Sequence, residues 1–296
     1  MTHPSLLRAL MFPLIALAVS RPSSSPLIAQ QRRGSEIMRR AARLDLDGST
    51  AEARALYQSV LDTVSDPEAR VSVWRSIAMS YAFDGDCANT VRYEEMAIEY
   101  WKTREQADPQ NAFYQEGERA DEAARVCVDA GDLDTAERMY RLGYELGTKE
   151  PSPRTHPVSL WDFRLAHALG RIAARRSDAA EARRQIARAR QALDSDSEMA
   201  RQQERFFPYL TGYVALYTGD LATAQTELER AVGVRGNDRD PFMHALLAMT
   251  YERQGQQALA RQLYEKAFEL ARAHNPPSAY VRRVVGRKLG RKGGGS

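Results

Sequence analysis

Two stretches of this chain open with the same phrase, Gly-Asp-Leu-x-Thr-Ala, and continue as the same kind of helix: GDLDTAERMYRLGYEL from 131 and GDLATAQTELERAVGV from 219. Weaker copies begin at 47 (DGSTAEARALYQSV), 85 (GDCANTVRYEEMAI), 177 (SDAAEARRQIARAR) and 255 (GQQALARQLYEKAFEL). In each, a Gly or Ser opens a helix whose small and large residues recur at offsets of four and three. The instances are Ala53-x3-Tyr57-x2-Val60, Ala136-x3-Tyr140-x2-Gly143, Ala182-x3-Ile186-x2-Ala189, Ala224-x3-Leu228-x2-Ala231 and Ala260-x3-Tyr264-x2-Ala267. Those offsets place each set on one helical stripe. The Ala lets a neighbouring helix come close, and the larger residue fills the space beside it. No single helical hairpin can bury both its faces, so the units must stack on one another as one cooperative array.

The segments before the turns are helical too. WRSIAMSY carries Trp74, Ile77, Ala78 and Tyr81 on one stripe, and ALLAMTY carries Leu247, Ala248 and Tyr251. Gly170 and Gly212 hold the small position of Ala78 and Ala248. The Gly between two helices ends the first, because it adopts the left-handed conformation readily. Asp86, Asp132 and Asp220 are placed to cap the helix that follows.

This arrangement, Trp-x2-Leu-Gly-x2-Tyr followed by Ala-x3-Phe, resembles the tetratricopeptide repeat, a helix-turn-helix unit of about 34 residues. Six units span roughly 35–275. The chain departs from the family in its period: the marker turns at 48, 85, 131, 177, 219 and 255 lie 37, 46, 46, 42 and 36 residues apart. The helices or connections must therefore be lengthened, mostly in the centre. The resemblance implies an all-α fold, a right-handed superhelical solenoid of antiparallel helix pairs. Residues 278–291, SAYVRRVVGRKLGR, read as a C-terminal capping helix with Tyr280, Val281, Val284, Val285 and Leu289 inward and Arg282, Arg283, Arg287 and Lys288 in solvent. The expected organisation is a signal segment over 1–29, a repeat domain over 30–275 and a basic cap with a flexible tail over 276–296.

The signal expectation rests on one Arg8 before ALMFPLIALAV and a following Ser/Pro stretch. The apolar run is shorter than the ~20 residues of a membrane span. Cleavage is open between ALA at 16–18 and LIA at 27–29, and an uncleaved anchor or a disordered leader are the alternatives. A periplasmic or secreted bacterial protein is expected. If so, Cys87 and Cys127 are candidates for a disulfide: they lie 21 residues before and 19 after Asp108, where an antiparallel helix pair turns. Such a bond closes a loop of about 40 residues and contributes ~3–4 kcal/mol on the chain-entropy account. Two buried thiols are the alternative.

Nothing in the sequence carries catalytic chemistry. There is no phosphate-cradling Gly-rich loop, no Gly-x-Ser-x-Gly and no His-Glu-x-x-His. The histidines, His3, His156, His167, His244 and His274, are scattered, and neither metal nor cofactor is expected. The Arg-rich run 171–190 keeps its packing stripe, has its arginines on the exposed sides and lacks interleaved aromatics, which argues against nucleic acid. The expected function is a non-enzymatic scaffold that binds a partner peptide or helix. By the family's register, the first helices line a concave groove through Arg75, Met79, Arg125, Arg171, Tyr209, Tyr213 and Met249, with Asp121 and His167 at equivalent positions. The family's chaperone-tail clamp uses Lys and Asn at such sites, and this chain has neither there. The rival expectation is binding of an envelope polymer or anionic lipid by the basic tail, which holds seven bases and no acid after Glu269.

Overall fold

The computed structural model describes residues 26–291, with side chains from Arg32 onward. The expected signal segment lies outside these residues apart from 26–29, which open the first helix, and 292–296 lie outside them as well. Among the described residues there is no strand, and no helix is long and apolar enough to cross a membrane.

The helices pair in chain order. α1 (Pro26–Leu46) packs on α2 (Thr50–Leu61), α3 (Pro67–Asp84) on α4 (Cys87–Lys102), and α5 (Pro109–Ala130) on α6 (Leu133–Gly147). α7 (Val158–Arg175) packs on α8 (Ala179–Ser195). After a short α9 (Ser197–Gln203) and a 3₁₀ turn, α10 (Phe207–Thr218) packs on α11 (Leu221–Gly233) and α12 (Pro241–Arg253) on α13 (Gln257–Leu270). Each second helix also meets the first helix of the next pair, which makes the array an all-α solenoid.

Local chemistry sets the turns. Asp86, Asp132 and Asp220 accept hydrogen bonds from the backbone N–H groups of Asn89, Thr135 and Thr223, at 3.0, 3.1 and 3.1 Å. These bonds satisfy otherwise orphaned helix-end donors. Asp178 does the same for Glu181 at 2.9 Å. The stripe alanines Ala53, Ala136, Ala182, Ala224 and Ala260 are all buried. Three features account for the long central period. α5 runs to 22 residues. The 148–157 connection is held by the buried Glu150 carboxylate, which accepts from the Thr155 hydroxyl at 2.9 Å and the His156 backbone at 3.2 Å. α9 and its 3₁₀ turn are inserted before α10.

Cys87 and Cys127 are joined by a disulfide (Cα–Cα 4.8 Å), which ties the start of α4 to the end of α5. α7 seats Trp161 so closely against α5 and α6 that a Cβ on Gly117 or Gly147 would fall 2.4 or 2.1 Å from its ring.

The C-terminal segment corrects one expectation. α14 (Pro276–Tyr280) runs into a π-helical turn (Val281–Val285) and a last short turn. Val281 and Val285 pack on the last pair, as a cap does. The other side crosses the inside of the superhelix and docks on α3 and α5. Ala279 is buried with Met79, Ala82, Phe83 and Val126. Arg283 donates to the Asp129 carbonyl at 3.1 Å, and Arg282 to the Ala271 carbonyl at 2.8 Å. These two arginines are therefore half-buried rather than in solvent; Arg287 and Lys288 are exposed, and Lys288 pairs with Glu252 at 2.7 Å. Ahead of the segment, His274 Nε2 lies 2.7 Å from the buried Asp45 carboxylate, which the Tyr57 and Ser80 hydroxyls also reach at 3.2 and 2.6 Å. The two ends of the solenoid are thus clasped together.

Candidate partner-binding cavity

The first helices of successive pairs face inward. With part of that concave face filled by the C-terminal segment, the unfilled part is a cavity of about 390 Å³. It lies among α3, α5, α7, α10 and α12, with Pro276 of the segment at its edge. Arg75, Arg125, Arg171 and Tyr209, all expected in the groove, line it. Asp121 and His167 join them, as do Tyr140 from a second helix and Arg119 and Arg164. Met79 and Met249 are elsewhere: Met79 is buried beneath Ala279, and Met249 is half-buried, with the Tyr280 hydroxyl 3.8 Å from its sulfur. Tyr213 is fully buried within the wall, against Tyr217 (ring centroids 4.5 Å) and under Arg175.

Arg171 forms the floor. It is only 4% exposed, against the expectation that the arginines of 171–190 face solvent. It sits one turn from His167 on α7, and α7 packs against both α6 and α10, so the guanidinium is trapped between their tyrosines. It donates to the Tyr209 hydroxyl at 3.1 Å, to the Tyr140 hydroxyl at 2.9 Å and to the His167 carbonyl at 3.3 Å. Among the described residues no carboxylate comes within ion-pair distance of it. A guanidinium does not lose its charge, and a buried unpaired charge is costly.

The other cavity arginines differ. Arg75 meets Glu122 at 3.1 Å, Arg119 meets the same Glu122, and Arg164 meets Glu118. Arg125 bonds Asp129 at 3.1 Å through Nε and lies 4.2 Å over the Phe242 ring; its Nη2 is buried with no partner. Asp240 caps α12 by accepting from the Phe242 and Met243 backbone at 2.8 and 3.0 Å. Burial pushes the Asp121 carboxyl up to about 7, against the pull of Arg164. Burial first, then Arg171 and Arg125, hold the His167 imidazole well below its usual range, so it is neutral at pH 7. Its Nε2 has no partner. The arrangement can bind an anionic group through converging donors; it sets no nucleophile beside a base.

The register rule found the residues from first helices. It missed Tyr140 because that residue belongs to the packing stripe of a second helix, yet its hydroxyl accepts from Arg171 at 2.9 Å. It could not show which stretch of groove the chain's own end would fill.

Residues 243–274, which include most of α12 and all of α13, match the family model described as tetratricopeptide repeat. No curated protein matches the chain. The matched unit is the last of a run of helix pairs that repeat its Gly-turn, its Ala stripe and its stacking on the neighbour, so the match supports a tetratricopeptide-like repeat array.

Proposed function

We propose that this chain is a non-enzymatic adapter that takes a segment of a protein partner into the open part of its concave face. Tetratricopeptide repeats generally mediate protein–protein contacts. The observation that carries the reading here is the cavity itself, where a buried, unpaired Arg171 and two tyrosine hydroxyls converge on unfilled space. Arginine and tyrosine are the side chains that most often anchor interfaces. The anionic-surface alternative loses support because Arg282 and Arg283 of the tail are engaged within the molecule. We place the protein outside the cytoplasm: the apolar run before residue 20 and the Cys87–Cys127 disulfide both suit an oxidising compartment.

Affinity capture from an envelope extract tests this. The unaltered chain should retrieve a discrete set of proteins. Arg75→Glu with Arg164→Glu, an exposed and a half-buried arginine that line the cavity, should lose them while keeping its helical circular dichroism. Retrieval of the same set by both forms would remove the cavity from the binding surface.

A further inference from the structure

We propose that the floor of the cavity is a binding site for a halide ion, held by the Arg171 guanidinium and the Tyr140 and Tyr209 hydroxyls. This goes beyond the partner-binding reading and does not need it: the ion sits beneath whatever the cavity takes and serves the fold as a counter-charge.

The charges argue first. The Arg171 guanidinium is buried and permanently charged. Around it stand the rings of Tyr140, Tyr209 and Tyr213, with centroids at 5.7, 5.7 and 6.0 Å, and Arg125, a second cation whose charge opposes its own. Arg125 is matched by Asp129 at 3.1 Å. Arg171 is matched by no carboxylate among the described residues; Asp121, which lines the same cavity, stands beyond ion-pair distance. Two buried cations thus share one carboxylate. Because a buried charge without its opposite is costly, an anion drawn from solvent stabilises the folded chain.

The donors agree with the charges. Arg171 uses three of its N–H groups on the Tyr209 and Tyr140 hydroxyls and the His167 carbonyl, and a guanidinium has five. Both hydroxyls accept from Arg171, so each keeps its own O–H to give, and among the described residues neither finds an acceptor. Arg125 Nη2 is buried without a partner. His167 adds no donor, since its ring already hydrogen-bonds the Phe206 backbone.

The rest of the lining decides among anions. Glu118, Asp121, Glu122 and Asp240 border the cavity. The outer oxygens of a phosphate or sulfate would face those carboxylates, and its second charge exceeds the one that Arg171 calls for. A planar carboxylate prefers two parallel donors from one side. Here the donors come from α6, α7 and α10, and a spherical ion accepts from several directions equally well. Phe163, Phe206 and Met243 supply apolar walls, which suit a large, weakly hydrated ion.

Chlorine NMR on the full chain tests the site, because exchange with an ion held on a slowly tumbling protein broadens the signal of free chloride. The chain should give a saturable excess linewidth with a millimolar dissociation constant, and bromide should remove it. Tyr140→Phe and Tyr209→Phe keep the packing and should each weaken chloride about three- to tenfold. Arg171→Gln should abolish the broadening; the tyrosine variants decide the matter if that protein does not fold. Arg261→Gln, which alters an exposed arginine on α13, should keep it. No saturable broadening, unchanged binding by both tyrosine variants, or an equal loss in Arg261→Gln overturns the proposal. Displacement of chloride by phosphate or acetate at lower concentration than by bromide overturns the halide assignment in favour of an oxyanion. If Arg75→Glu with Arg164→Glu abolishes protein capture while chloride shows no saturable broadening, the partner-binding reading stands and this one falls.

Discussion

Each helix hairpin turns on a residue with left-handed backbone. At Gly48, Gly85, Gly131, Gly219 and Gly255 φ lies between 76° and 94°, and at the equivalent turn of the fourth pair Ser177 has φ 62°. A side chain in that region costs roughly 1–2 kcal/mol, which glycine avoids at some cost in unfolded-chain entropy. Ser177→Gly should therefore raise stability by about 0.5–1 kcal/mol, seen as a higher urea midpoint at unchanged slope; a lower midpoint would mean that the serine is not strained. Glu94 is a second residue with a measurable consequence. It is fully buried, its oxygens have no hydrogen-bond partner, and Arg119 is 3.8 Å away. Burial, with help from Glu122, pushes its carboxyl up to about 8, against the pull of Arg119 and Arg75. A carboxyl raised in the folded state holds its proton where the unfolded chain has lost it, so stability falls as pH rises from about 4.5 toward 8. Glu94→Gln removes that slope. It should leave stability near the parent's at pH 5 and exceed it by roughly 3–5 kcal/mol at pH 8.5, which thermal melts across pH would show. The turn residues were legible because glycine and aspartate carry local signals. Burial of Glu94 was not, since its neighbour Glu95 is half-exposed on the same helix and only packing tells them apart.

At the scale of elements, the α5/α6 crossing shows how small residues set helix spacing. Gly117 and Gly143 let the two backbones meet, and the Trp161 ring lies over Gly117 and Gly147. Gly147→Ala gains about 1 kcal/mol of helix propensity. It also drives a Cβ to 2.1 Å from a ring that is 1% exposed, and overpacking of that kind costs ~1–3 kcal/mol or more. Net destabilisation is expected. Adding Gly147→Ala to Trp161→Leu should then cost almost nothing further; an undiminished cost in the double variant would refute the ring clash. Gly143 was visible as the small member of a stripe. Gly117 and Gly147 were not, because their partner comes from the next hairpin and no spacing within one helix announces it.

For the whole molecule, the decisive contact is between residues far apart in sequence. His274 meets Asp45, and Arg283 meets Asp129. A solenoid held only by nearest neighbours is free to open and close along its length; this clasp holds its ends together and sets the width of the concave face. His274→Ala with Arg283→Ala leaves Val281 and Val285 on the last pair and should widen the superhelix. Small-angle scattering should show a larger radius of gyration with helical content retained, at a stability loss of about 2–4 kcal/mol for the partners left buried and unpaired. An unchanged radius would reduce the segment to an end cap.

The sequence alone determined the repeating hairpins, their turns, their caps and the inward register of Arg75, Arg125, Arg171 and Tyr209, because each depends on spacings within a few helical turns. It also placed Cys87 and Cys127 on facing helices of two successive hairpins. Only the tertiary structure decided that the chain's end lies inside the groove, that Met79 and Met249 are covered by it, and that Arg171 is buried without a counter-charge. Those outcomes depend on superhelix curvature, the sum of many small packing angles, which fixes how far apart α1 and α14 stand and which no local pattern encodes.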